Sequence, residues 1–172
     1  MDIFNTAAQF MEISARTAPK SLGQDYVLTK IIEKEKLEEL AAEMDRIGKS
    51  SGRENYDRDA NSIRNSGAVL FIGVKDAKEI GLNCGACGFD TCAETRENRR
   101  KGNEFAGPIC AFRLLDMGIA LGSAVKTASI MNFDNRVMFR VAHAALNLGW
   151  VDWDCVIGIP ISATGKSVFF DR

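Results

Sequence analysis

Four of the five cysteines in this 172-residue chain, Cys84, Cys87, Cys92 and Cys110, fall within 27 residues, and only Cys155 lies elsewhere. A chain of this length takes roughly 70% of its extended surface out of water on folding, so it needs neither disulfide staples nor metal to form a core. The clustering therefore calls for a chemical explanation. In a reducing compartment, closely spaced cysteines hold a metal or do redox chemistry more often than they pair as disulfides. The rest of the composition, 46% apolar and 26% charged, is that of one ordinary globular domain.

The charge balance excludes some functions. With 22 Lys plus Arg against 23 Asp plus Glu there is no basic footprint, so nucleic acid is not an expected partner. The longest almost uninterrupted apolar stretch, Gly67 to Val74, has eight residues, against the roughly 20 that cross a bilayer as a helix. No membrane partner is expected. Met1-Asp2-Ile3-Phe4-Asn5 has neither the basic n-region nor the apolar h-region of a secretory signal, and the expected location is the cytoplasm.

Along the chain, Ile3, Phe4, Ala7, Ala8, Phe10, Met11 and Ile13 follow helical spacing and predict a helix over about Met1 to Ala15, ending near Thr17 because Pro19 pushes its neighbour out of helical geometry. Tyr26 to Ile32 fits either a short strand or the entry to the next helix. Leu37, Leu40, Ala41, Met44 and Ile47 form the stripe of an amphipathic helix over Glu33 to Ile47, and Asn55 to Arg64 is a polar helical stretch. Ala68 to Val74 is uniformly apolar, as in a central strand covered on both faces. After the cysteine block, Leu114 to Val125 and Val137 to Leu148 read as two further helices. Gly118 and Gly122 offer a close backbone approach in the first, and Gly149 ends the second. Asp154 to Ile161 is a strand running into a Ser-Ala-Thr-Gly-Lys turn and Ser167 to Phe170. The chain thus reads as a single α+β domain, residues 1–172, with a cysteine-rich segment over 81–112 inserted in it.

The spacing within the segment is C-x2-C-x4-C-x17-C. Four thiolates complete the ligand set of a four-iron cluster. Gly85 and Gly88 suit such a loop, since glycine reaches positive φ and lets backbone N–H groups turn toward sulfur. Thr91-Cys92-Ala93-Glu94 reads as a helix start, and Gly107-Pro108 as the bend that returns Cys110 to the same centre. The same four ligands suit structural zinc. Zinc sites of that type usually present two short C-x2-C knuckles, whereas here 17 residues part the second pair. Disulfide pairing, or separate use of each cysteine, is the third reading.

The block Asn-Cys-Gly-Ala-Cys-Gly-Phe-Asp-Thr-Cys resembles the four-cysteine iron-sulfur domain of electron-transport-complex B subunits and corrinoid iron-sulfur proteins, whose pattern C-G-x-C-G-x-x-x-C is followed after a gap by a further Cys. That resemblance implies a [4Fe-4S] cluster on Cys84, Cys87, Cys92 and Cys110. Over Ala15 to Lys20, Arg58-Asp59-Ala60, Gly67 to Val74, Asp134-Asn135-Arg136 and Gly158 to Arg172, the chain resembles a group of bacterial and archaeal proteins containing a ferredoxin domain. The order of elements also resembles flavin-dependent nitroreductases: an N-terminal helix, an Ala-Pro turn with basic residues, an Arg-Asp-Ala helix before a buried strand, and a late helix ending Leu148-Gly149-Trp150. This likeness implies helices around a central sheet, an intertwined homodimer, and FMN whose phosphate meets basic residues of the N-terminal turn. The family's paired arginines with an intervening serine are here Arg16 and Thr17, with Lys20 and Ser21 nearby, so Arg16, Lys20 and Ser21 are the candidate flavin contacts.

Cys155 reads as a small core residue and His143, the single histidine, as a packing or surface residue, which leaves no Cys-His or Ser-His-Asp machinery. Arg96, Arg99, Arg100 and Lys101 form either a solvated face or a docking patch for an acidic redox partner. Trp150 and Trp153 suit a core, a dimer contact or a ligand wall. Gly165-Lys166-Ser167 lacks the first glycine of a phosphate loop, where Pro160 stands. The expected function is electron transfer through an iron-sulfur cluster to a partner protein or small molecule. The alternatives are an FMN-dependent oxidoreductase fed by the cluster and a non-enzymatic zinc module.

Overall fold

A strand that is apolar at every position needs cover on both faces, and the computed structural model, which describes residues 2–170, supplies it. In chain order the elements are α1 (Ile3–Thr17), β1 (Val27–Glu33), α2 (Leu37–Ser51), α3 (Tyr56–Arg64), β2 (Ala68–Val74), α4 (Cys92–Glu97), β3 (Arg100–Lys101), β4 (Ala106–Gly107), α5 (Ala111–Ile130), β5 (Asp134–Asn135), α6 (Phe139–Asn147) and β6 (Cys155–Ser162). All seven residues of β2 are buried. It lies inside a four-stranded sheet of order β1-β2-β6-β5, antiparallel throughout, with Val27 opposite Val74, Val74 opposite Cys155, and Asp134 opposite Ser162.

The alternation of β2 divides the core. Leu70, Ile72 and Val74 face Ala7, Ala8 and Met11 of α1 and Met117, Ala120 and Ala124 of α5. Val69 and Phe71 face Leu40 and Met44 of α2, Ile63 of α3 and Val141 and Ala145 of α6. The fold is therefore α+β, a central sheet between two helical layers. Tyr26 to Ile32, open to two readings from the pattern, is mostly strand, because pairing with β2 along all seven residues outweighs its helical spacing. Pro160 is tolerated within β6 because Gly158 exchanges hydrogen bonds with Met138, so the proline's missing N–H falls on that same side, in the gap between β5 and the Met138 bridge.

Local signals end the helices where expected. Asp2 caps α1 by accepting from the Phe4 N–H at 2.9 Å, and α1 stops at Ala18, before Pro19. Gly149, at φ +67°, follows α6 as its left-handed stop. Gly118 and Gly122 differ from expectation. A Cβ at either would meet open space, so among the described residues no backbone outside the helix approaches them. No described helix is long and apolar enough to cross a membrane.

Candidate functional site

Residues 75–91, between β2 and α4, contain no helix or strand, and the four clustered cysteines are delivered to one place by turns and helix starts. Gly85 and Gly88 adopt φ of +74° and +84°, and the Gly88 N–H closes a turn on the Gly85 carbonyl at 2.9 Å. This turn carries Cys84 and Cys87. Cys92 opens α4, whose cap is Thr91, its side chain accepting from the Glu94 N–H at 3.2 Å. The Cys92 N–H is itself held by Asn83 Oδ1 at 2.9 Å, so the first and third cysteines are pinned to each other's segments.

Beyond α4 the chain forms the hairpin β3–β4, turns at the cis Gly107–Pro108 peptide, and reaches Cys110, which caps the 20-residue helix α5. All four cysteines line one cavity, walled by Ile80, Leu82, Phe89 and Phe112. Cys84 is exposed, Cys87 and Cys92 are half-buried, and Cys110 is buried. The Ala111 N–H already donates to Cys87 Sγ at 3.2 Å, an interaction that disperses charge on a thiolate. A donor set of four thiols with apolar walls and an N–H aimed at sulfur fits an iron-sulfur cluster. Among the described residues no group of three or more His, Cys, Asp or Glu is placed to hold a metal ion as it stands.

Cys110 is held from behind by Arg113, a fully buried arginine one turn along α5. Its guanidinium donates to the Lys78 carbonyl at 2.8 Å, the Ser21 carbonyl at 3.1 Å and Gln24 Oε1 at 2.6 Å. It also pairs with Asp116 at 3.3 Å and stacks 4.7 Å from the Tyr26 ring centre. Arg113 thus ties the N-terminal turn and the chain leading into the cysteine loop to the helix that carries the fourth cysteine. Sequence reading missed it, because a charged pair at i,i+3 such as Arg113 and Asp116 ordinarily reads as a solvated helix face.

The N-terminal turn places Arg16, Lys20 and Ser21 as follows. Arg16 donates to the Val27 carbonyl at 2.6 Å and pairs with Asp25 at 3.0 Å. Lys20 caps the end of α1, its ammonium donating to the carbonyls of Ala15, Arg16 and Ala18 at 2.7–2.9 Å. Burial lowers the Lys20 pKa. Ser21 gives its N–H and hydroxyl to Asp116 Oδ1, both at 2.8 Å. Each is engaged in holding the turn.

Comparison with known proteins agrees with this architecture. Over 166 residues the chain is 48% identical to an Archaeoglobus fulgidus protein described as "Uncharacterized protein", covering 96% of this chain and 90% of that one. Residues 106–172 match the family described as "Uncharacterized protein containing a ferredoxin domain". The chain belongs to that family. Its fold is that of the nitroreductases. An oxidoreductase containing FMN superposes with a TM-score of 0.58 at 14% identity, covering 96% of this chain and 70% of that one. An FMN-dependent nitroreductase from Clostridium difficile R20291 gives 0.59 at 12% identity, with 96% and 84% coverage.

In this family member the remaining candidates fall into two groups. Arg96 pairs with Glu79 at 2.8 Å and Arg99 with Asp154, so half of the basic run is neutralised, while Arg100 and Lys101 stand exposed on β3. Cys155 is half-buried at the start of β6, and burial pushes its thiol pKa up. Trp150 and Trp153 pack against the core cluster of α2, α3 and α6. Lys166 and Ser167 line an open cavity with Arg58 and Asn61, and Val168 and Phe169 are bends. His143 is neither plain packing nor plain surface. Its Nδ1 lies 2.8 Å from the Tyr56 hydroxyl and its ring lines a cavity.

Proposed function

We propose that the protein carries a [4Fe-4S] cluster on Cys84, Cys87, Cys92 and Cys110 and serves electron transfer. The observation that carries this reading is the lining of one apolar-walled cavity by all four clustered thiols in a member of a ferredoxin-domain family. Bound there, the cluster supplies one-electron transfer. The chain's own contribution is to hold the thiols and set their surroundings. The Gly85–Gly88 turn presents the first two ligands, the Thr91 cap fixes the third, and Arg113 fixes the helix that starts at the fourth. The exposed Cys84 leaves one edge of the site open toward a partner, while Phe89, Phe112 and Ile80 exclude water from the rest.

The electron partner is an acidic redox protein or a small molecule, and the exposed Arg100 and Lys101 suit the former. Leu114, Leu115 and Ile119 leave an apolar face of α5 exposed and support a homodimer. A second reading, in which FMN is also bound, is favoured by the FMN in the names of both fold neighbours. It assigns the phosphate to Arg16, Lys20 and Ser21, which would have to release their present partners.

Anaerobic purification of the full chain, with iron, sulfide, zinc and flavin measured on one sample, tests these readings together. Four irons and four sulfides per chain, a broad visible absorption lost on adding dithionite, and loss of iron in Cys110→Ser are expected. Stoichiometric zinc without sulfide, or a full iron complement in Cys110→Ser, would overturn the cluster assignment.

A further inference from the structure

The hairpin β3–β4 does more than carry the chain from the third cysteine to the fourth. Its tip closes a cavity of about 430 Å³ over the end of α6 and the entry to β6, within the size range of small-molecule sites. Trp153, Leu146 and Val151 form the apolar part of the wall. Glu104 at the tip pairs with Arg53, Asp154 with Arg99, and Asp152 with Lys75, so each acid of the lining is neutralised from outside the cavity. Among the described residues Lys101 forms no ion pair. Lys101 is thus the one charged residue of the lining with no opposite charge paired to it among the described residues.

His143 adds a second donor, and its partners set which nitrogen carries the proton. Tyr56 is buried, so its proton remains on the oxygen and is free for His143 Nδ1, 2.8 Å away. Glu104 Oε1 stands at 3.5 Å from the same nitrogen and is taken up by Arg53. A neutral ring that accepts at Nδ1 carries its hydrogen on Nε2, which makes no hydrogen bond among the described residues. The Lys101 and His143 side chains thus line one cavity together with Trp153, and in this tautomer each brings a hydrogen-bond donor to it.

We propose that this cavity is a binding site for a planar aromatic monoanion, its ring against Trp153 and its oxyanion received by Lys101 and His143. The assignment does not depend on the cluster. The wall residue Ala106 is four residues from Cys110, so no more than about 14 Å of chain separates the ligand's site from the candidate metal centre.

The test uses the full chain with Trp150→Phe, which leaves Trp153 the single tryptophan, and reads quenching of its fluorescence. The probes are 2-naphthoate and its neutral analogue 2-naphthalenemethanol. Saturable quenching by naphthoate is expected, with the neutral analogue about tenfold weaker. Lys101→Met on the exposed hairpin strand should abolish that preference while Lys101→Arg keeps it. Tyr56→Phe, which frees Nδ1 to hold the proton, should weaken naphthoate severalfold and leave the neutral probe unchanged. Absence of saturable quenching, equal affinity for the two probes, or a Lys101→Met effect of the same size on both would overturn the proposal.

Discussion

Arg113→Met tests the claim that one buried guanidinium organises the cysteine loop. Methionine fills much of the same volume without charge, so the change removes chiefly the donors. What it leaves behind sets the magnitude: Asp116, 4% exposed and still charged, and the carbonyls of Lys78, Ser21 and Gln24. Breaking a buried pair by removing one member costs about 3–5 kcal/mol, most of it from the stranded charge. We therefore expect a loss of about 4 kcal/mol in urea unfolding, equivalent to roughly 8–16 °C in Tm for a domain of this size. Adding Asp116→Asn neutralises the stranded charge and retains the oxygen that Ser21 donates to, so the double variant should recover about 1–2 kcal/mol. Iron incorporation should fall in the single variant even under conditions where it stays folded, because Lys78 and Cys110 are no longer tied together. A loss below about 1 kcal/mol, or a double variant as unstable as the sum of the singles, would refute this account.

At Gly73 a Cβ would stand 2.4 Å from the Cys155 carbonyl oxygen and 2.6 Å from Trp153, so Gly73→Ala should cost about 1–3 kcal/mol, read from chemical denaturation. Gly118→Ala, in open space within α5, should instead stabilise by up to about 1 kcal/mol, and a loss there would mean that something does approach this face. The hydrogen bond from Arg46 lowers the Glu43 pKa, so Glu43 contributes stability above its unfolded value near 4.3 and loses it as pH falls through the lower folded value. The advantage of wild type over Glu43→Gln should hold from about pH 7 to pH 5 and vanish on further acidification, as followed by thermal unfolding. In protein freed of metal, mass-spectrometric tracking of iodoacetamide labelling should find Cys84 modified well before Cys110 and Cys155. Cys84 is exposed and Cys110 buried, while Cys155 has its pKa raised by burial and by the Asp154 carboxylate; equal rates would contradict this placement.

Much of the architecture is legible because it rests on local periodicity. The uniform apolarity of Ala68–Val74 required cover on two faces, and the stripes of α1, α2 and α6 supply it. Tyr26–Ile32 was not decidable locally, since Val27, Leu28, Ile31 and Ile32 suit a helix as well as a strand, and only the β2 edge, which lies 35 or more residues away, selects the strand. The cysteine spacing carries its own chemistry. What it cannot carry is the support behind it, because Arg113 contacts Ser21, Gln24 and Lys78 across 35 to 92 residues, and its i,i+3 pair with Asp116 looks like any solvated helix pair.

The same limit explains His143. Alone on a helix of small apolar residues it reads as filler, and its chemistry exists only because the β3–β4 tip and the turn before α3 bring Glu104, Arg53 and Tyr56 to it. That hairpin begins three residues after the last turn of α4 and ends three residues before Cys110. One excursion of the chain therefore both returns the fourth thiol to its cavity and closes the neighbouring one. Any change that shifts β3–β4 should disturb metal content and aromatic-anion binding together, whereas Lys101→Met, acting by charge alone, should separate them.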